Sequence, residues 1–234
     1  MEKFGNITLI NGDCMDFMRT QSDKSFDLSI VDPPYGIGED GSKNYSRGNL
    51  AKSKKYKPYC NGDKKPSKEY FEQLFRVSKN QIIWGANHFI ENFAKNSPAW
   101  IIWDKQNGAT DFADCELAYS SFKKAARMFT FRWAGMLQGN MKHKEQRIHP
   151  NQKPVELYKW LLMEYAKEGN KILDTHLGSG SICLACHDYG FEMTGIELDA
   201  DYYDGARKRL MNHQAQQRLF TNHSFISKDV EIFN

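Results

Sequence analysis

The sequence predicts a doubly wound α/β fold, a mostly parallel sheet covered by helices on both faces. Three observations predict it. Short β-branched and aromatic runs alternate with amphipathic helical stretches along most of the 234 residues, the pattern that parallel strands with helical crossovers produce. Strand after strand closes on an acid. One strand also runs into a glycine-rich turn that opens a helix, the arrangement that gathers ligands at the carboxyl edge of such sheets.

The elements follow in order. "NITLI" reads as a strand, "MDFMRT" as a short helix and "FDLSIV" as a second strand. "KEYFEQLFRVS" carries apolar residues at helical spacing and leads into the strand "QIIWG". "AWIIWD" and "DCELAYSS" read as two more strands, and "VELYKWLLMEYAKEG" as a strongly amphipathic helix. "KILD" is a strand, "GSGSICLACHDYG" a loop opening a helix that stops at Gly190, and "EMTGIE" a strand. "DADYYDGARKRLMNHQ" is a helix begun by Asp199. The chain after Gln217 is too mixed to assign, and no internal repeat is present. A length of 234 residues supports one large α/β domain with its own core.

Composition narrows the function classes. Aromatic residues make up 13% of the chain, with five Trp and eleven Tyr, which favours a packed globule with aromatic-lined pockets over a disordered chain. The start, "MEKFGNITLINGDC", has neither a basic lead nor an apolar run of signal length, and no window approaches a membrane span. A soluble cytoplasmic protein is expected. The five cysteines are scattered, and Cys183 and Cys186 have no second CxxC to pair with, so reduced buried thiols are expected and a metal site is not.

The net charge of +3 is unevenly spread. Residues 36–69 hold nine Lys/Arg against four Asp/Glu, a net of +5, and residues 121–153 hold eight against one, a net of +7. The remainder sums to −9. Both basic segments read as irregular chain with interleaved aromatics, as a phosphate backbone with exposed bases would reward. Solvated lysine-rich loops would look the same at this level.

Acids end four of the strands: Asp13, Asp32, Asp174 and Glu197. At "DTHLGSGS", Gly178 and Gly180 let the backbone turn sharply and approach a ligand without Cβ interference. Glu197 ends the next strand, where a carboxylate can clamp both hydroxyls of a ribose. The turn lacks a full G-x-G-x-x-G, so a nucleoside with a short charged tail, such as S-adenosylmethionine, fits better than a dinucleotide. At "DPPY" the two prolines fix φ and remove N–H donors, leaving the Pro33 carbonyl rigidly aimed beside the Asp32 carboxylate. Two acceptors suit an exocyclic amine of adenine or cytosine. Holding both of its hydrogens pulls the nitrogen out of conjugation and frees its lone pair, while Tyr35 offers a face for a base extruded from the duplex.

These motifs make the chain similar to the amino-group DNA methyltransferases of the N6-adenine type. The family's (D/N/S)PP(Y/F/W) tetrapeptide is matched by Asp32, Pro33, Pro34 and Tyr35, and its DPFxGSGT loop in part by Asp174, Gly178, Ser179, Gly180 and Ser181. The catalytic motif precedes the cofactor loop, which resembles the family's β class, in which a target-recognition region separates the two. The resemblance runs from about Asn6 to Leu210. It implies a circularly permuted, seven-stranded Rossmann-like sheet of the class I S-adenosylmethionine-dependent type. It also implies transfer of a methyl group to a flipped adenine in double-stranded DNA by direct in-line attack, in a restriction–modification or orphan phage-type context. One methyltransferase domain is expected, with basic insertions at 36–69, a catalytic and DNA-binding loop, and at 121–150, a short target-recognition region. That short region implies a target of few base pairs, a partner subunit such as a second copy in a homodimer, or loose specificity.

Further positions carry across. Asp13 resembles the acid that receives the cofactor's adenine amino group, and it also suits the cap of "MDFMRT". In "HPNQKP", which resembles the family's HPTQKP, Lys153 is placed against the cofactor's methionine carboxylate, and Glu197 matches the ribose acid. Trp84, Asn87 and Trp103 are candidates for the base pocket, with core packing the alternative for each tryptophan. The chain departs from the family at Thr175 and His176, where Pro and Phe are usual. N4-cytosine enzymes usually begin the tetrapeptide with Ser, so Asp32 favours adenine, and a cytosine-N4 enzyme or a noncatalytic DNA-binding subunit stays open.

Overall fold

The structure is a computed structural model that describes residues 1–38, 63–93, 95–108, 113–134 and 137–226. Its first strands, β1 (Glu2–Phe4) and β2 (Ile7–Asn11), form a hairpin turned at Gly5, whose φ of +65° glycine adopts without strain. Helix α1 (Cys14–Thr20) and strand β3 (Phe26–Val31) follow, then α2 (Lys68–Val77) and β4 (Ser78–Trp84). A 3₁₀ turn at Ala86–His88 and the short α3 (Ile90–Phe93) lead to β5 (Ile101–Asp104), β6 (Cys115–Ser120) and β7 (Arg127–Thr130). A small ribbon, β8 (Trp133–Ala134) with β9 (Leu137–Gln138), precedes α4 (Val155–Tyr165). The chain then runs through β10 (Lys171–Asp174), α5 (Ser181–Tyr189), β11 (Glu192–Glu197) and α6 (Ala200–Ile226).

Among the described residues the main sheet has nine strands, in the order β1-β2-β11-β10-β3-β4-β6-β5-β7. All seven strands read from the sequence are in it, and the two additions, β1 and β7, lie at its edges. Both are short and largely exposed, so neither carries the buried alternation that marks a strand in sequence. Only β1 and β6 run against the rest.

Alternation along the inner strands feeds two cores. Leu28, Ile30, Ile82 and Ile172 pack with Leu157 and Leu161 of α4, Ile182 of α5, and Ala206 and Leu210 of α6. On the other face, Val31, Ile83, Leu173 and Ile196 meet Met18 of α1 and Phe71 and Leu74 of α2. Strands covered on both faces need apolar residues at nearly every position, which is why these runs were so legible. Each fully buried Leu or Ile contributes about 1.5–3 kcal/mol of transfer free energy.

The helix signals act as their chemistry dictates. Ser67 accepts from the Tyr70 amide to cap α2 at 3.3 Å, and Gly190, at φ +75°, ends α5. Asp199 caps α6, accepting from the Asp201 amide at 2.9 Å. That helix continues past the expected end at Gln214 to Ile226.

The topology fixes where the site lies. Strands β3 and β10 are parallel neighbours, but from β3 the chain moves to β4 on one side and from β10 to β11 on the other. This is a topological switch point, the place where open α/β sheets bind ligands beyond the carboxyl ends of the strands. Asp32, just past β3, and the glycine-rich turn, just past β10, follow these neighbouring strands. Among the described residues, no helix is long and apolar enough to cross a membrane.

Candidate active site

Asp32 is the first residue beyond β3, and the two prolines after it turn the chain so that Tyr35 folds back over the strand end. The Tyr35 hydroxyl donates to Asp32 Oδ1 at 2.7 Å. Its ring lies directly on Gly85, just past β4. A Cβ at Gly85 would stand 2.1 Å from Tyr35 Cε1, and φ there is +66°, so the position requires glycine twice over. The His88 ring lies beside Tyr35 at 5.1 Å, tilted by 19°.

Lys153 enters from the segment before α4. Its side chain is only 3% exposed and forms an ion pair with Asp32 Oδ2 and another with Glu116 Oε2 at 3.0 Å. Its ammonium also donates to Tyr35 Oη at 3.3 Å. Glu116, on β6, is held from its other oxygen by Lys105 at 2.5 Å. Two acids and two lysines thus interleave, so no charge in the cluster is buried unpaired. Burial pushes the Asp32 carboxyl above its ordinary range; Lys153 opposes that and Glu116 adds to it. Burial would raise Glu116 as well, but Lys153 and Lys105 outweigh it and bring that carboxyl down to about 2.

The second half of the site is the turn between β10 and α5. Gly178 and Gly180 both take left-handed conformations, at φ +53° and +69°. Glu197, at the end of β11, accepts from the Gly178 amide at 2.7 Å and from the Asp199 amide at 2.9 Å, which fixes its carboxylate against the turn. Asp174 is buried and accepts from the His176 amide at 3.0 Å; burial pushes its carboxyl up to about 8. The Thr175 hydroxyl joins Tyr70 Oη at 2.7 Å to His176 Nδ1 at 3.0 Å. The His176 ring meets the Tyr70 ring edge-on at 5.3 Å, and burial brings it down to about 4. Ser179 and Ser181 are buried beneath, and Ser181 Oγ donates to the Lys153 carbonyl at 2.7 Å, tying the glycine turn to the lysine that reaches Asp32.

The sequence-derived residues therefore fall into two adjoining groups. Asp32, Pro33, Pro34 and Tyr35 form one; Asp174, Thr175, His176, Gly178, Ser179, Gly180 and Glu197 form the other. Lys153 lies in the first group, against Asp32. Asp13 is exposed at the end of β2, beside β11, and caps α1 by accepting from the Met15 amide at 2.7 Å. Trp84 and Trp103 are buried core residues whose rings lie 5.5 Å from the Lys153 and 5.4 Å from the Lys105 ammonium, while Asn87 is exposed.

Sequence reasoning missed Glu116, Lys105, His88 and Tyr70. The available signal was the acid inside the strand "CELAYS", a charge on an inner strand that must find a partner. Of the basic segments, residues 39–62 lie outside the described residues; Asp63 accepts from the Ile37 and Gly38 amides at 2.6 and 2.8 Å. In the second, Lys123, Lys124, Arg127, Arg132, Lys142 and Lys144 are exposed around β7 and the β8–β9 ribbon.

The family of N6 and N4 methyltransferases, described as DNA methylase, matches residues 26–208. The chain is 24% identical to the Type II methyltransferase M.HpaI of Haemophilus parainfluenzae, with 86% of this chain and 73% of that protein covered. It is 25% identical to the Type II methyltransferase M2.MboI of Moraxella bovis, with 87% of each covered. Among solved structures, the M1.HpyAVI–SAM complex superposes with a TM-score of 0.55 at 19% identity, covering 87% of this chain and 98% of that one. The cytosine-N4-specific PvuII DNA methyltransferase superposes with a TM-score of 0.56 at 11% identity, covering 88% of each. At these identities the structural matches speak for the fold alone. The family match spans most of the chain, including both motifs, and the protein belongs to the DNA methylase family of N6 and N4 methyltransferases.

Proposed function

We propose that this DNA methyltransferase transfers a methyl group from S-adenosylmethionine to the exocyclic N6 amine of an adenine turned out of double-stranded DNA. The observation that carries this is the placement of Asp32 and the rigid Pro33 beside the glycine turn, across adjacent strands.

The residues present fit the cofactor. A Cβ at Gly180 would come 2.9 Å from that of Ala206, so the turn is packed as tightly as glycine allows. Glu197 is held by the Gly178, Asp199 and Leu198 amides, and its carboxylate, with four lone-pair sites, retains acceptor capacity toward a ribose. Asp174, Thr175, His176 and Ser179 would wall the cofactor, and Asp13 would receive its adenine amino group. S-adenosylmethionine, when bound, supplies a methyl group activated by a sulfonium. The protein's part is placement and electrostatics. Asp32 accepts one amine hydrogen and the Pro33 carbonyl the other, which turns the nitrogen lone pair out of the ring system. Asp32 also stands where the proton shed by the methylated nitrogen can be taken up. Tyr35 supplies a stacking face for the flipped base, and the basic segments 36–69 and 121–150 hold the phosphates and read the target.

Asp32, rather than serine, at the head of the tetrapeptide favours adenine. The test is transfer of tritiated methyl from S-adenosylmethionine to unmethylated DNA, followed by digestion to nucleosides. Label in N6-methyladenine is the expected result. Label in N4-methylcytosine would establish the cytosine reading instead, and no label with intact DNA binding would make the protein a noncatalytic binder.

A further inference from the structure

The Lys153 ammonium has three protons and three acceptors: Asp32 Oδ2, Glu116 Oε2 at 3.0 Å and Tyr35 Oη at 3.3 Å. A cation so committed, 3% exposed, has no proton free for a cofactor carboxylate. Its position is set from three directions. Lys105 fixes Glu116 at 2.5 Å, Ser181 Oγ holds the Lys153 carbonyl at 2.7 Å, and the ammonium lies 5.7 Å from the Tyr35 ring and 5.5 Å from the Trp84 ring.

Resting on the reading of Asp32 as the amine's acceptor, we propose that Lys153 and Glu116 are positioning residues for methyl transfer. Glu116, anchored by Lys105, pins the Lys153 ammonium against Asp32, and Lys153 holds the Asp32 carboxylate charged and aimed at the amine. A carboxylate so shielded from water, covered by Tyr35 and facing the buried acid Asp174 on the next strand, would otherwise shed its charge by taking up a proton. The groups facing it are Lys153 and the Tyr35 hydroxyl directly, with Glu116 behind Lys153, Lys105 behind Glu116, Asp174 on β10, Tyr70 on α2 and Tyr158 on α4.

The two residues then act on Asp32 with opposite sign. Without the Lys153 charge, Asp32 protonates at higher pH; without the Glu116 charge, a like charge is gone and Asp32 stays ionised to lower pH. The experiment is single-turnover methyl transfer at saturating cofactor and DNA, followed across pH for Lys153→Met, Lys153→Arg and Glu116→Gln, with cofactor affinity measured by calorimetry. Lys153→Met should move the acidic limb of the rate profile upward by roughly one to three pH units, leaving cofactor affinity unchanged. Lys153→Arg should restore the wild-type limb, and Glu116→Gln should move it downward. A Lys153→Met limb that stays in place, or one accompanied by weakened cofactor binding and a normal saturated rate, overturns the proposal. Should Lys153→Met fail to fold, Glu116→Gln decides: a limb unmoved or moved upward overturns it equally. Failure of the underlying reading is distinguishable, because it would appear as wild-type transfer by Asp32→Ala.

Discussion

Gly85 touches no substrate in this account, yet replacing it with alanine should damage the reaction through Tyr35. The new Cβ would stand 2.1 Å from Tyr35 Cε1 and 2.5 Å from Cδ1, so the ring must leave its seat. Holding alanine at φ +66° costs about 1–2 kcal/mol, and losing the Tyr35 hydrogen bond to the Asp32 carboxylate costs about 1.5–3 kcal/mol more. Loss of the stacking face removes about 1–3 kcal/mol of base binding, a roughly 5- to 150-fold drop in transfer. The assay is a double-mutant cycle with Tyr35→Ala, reading urea unfolding and single-turnover transfer in all four proteins. In the Tyr35→Ala background, Gly85→Ala should cost only its backbone share and leave the residual rate untouched. Equal costs in both backgrounds, or full transfer by Gly85→Ala alone, would refute the role assigned to this contact.

Other consequences follow from the cofactor side. Burial holds His176 down at about 4, so between pH 6.5 and 4 the unfolded chain binds a proton that the folded chain refuses; stability present above pH 6.5 is lost as pH falls through this window. His176→Phe should flatten that loss in urea midpoints taken against pH, and parallel curves for the two proteins would speak against it. Glu197→Gln should weaken cofactor binding about tenfold or more, as loss of charge-assisted hydrogen bonds predicts, with little change in the saturated rate. A dissociation constant that calorimetry finds unaltered would remove Glu197 from the cofactor site.

The parts of this protein that were legible in its sequence share a physical cause. Strands buried on both faces must be apolar throughout, so an acid that ends one, as Asp32, Asp174 and Glu197 do, stands out against the run before it. The glycines at 178 and 180 were legible because no other residue takes those backbone angles cheaply. Edge strands β1 and β7 were not, since an edge with exposed side chains has no period to read. Nor was the partnership of Lys153, which sits 121 positions from Asp32 and 37 from Glu116, on elements that only the sheet order brings together. The HPNQKP motif marked that lysine for the site, but its contacts with Asp32 and Glu116 show only in the fold. His176 was visible as a departure from the family, whereas the Tyr70 and Thr175 contacts that hold it depend on how α2 lies across the turn.

Under the proposed function, the Asp32 carboxylate grips the reacting amine and leaves the cofactor to other residues. The most direct test compares wild type with Asp32→Ala, measuring single-turnover methyl transfer to DNA at saturating S-adenosylmethionine alongside the cofactor's dissociation constant. The expected result is a loss of transfer of about a hundredfold or more with cofactor affinity preserved. An Asp32→Ala protein that methylates DNA at the wild-type rate would contradict it.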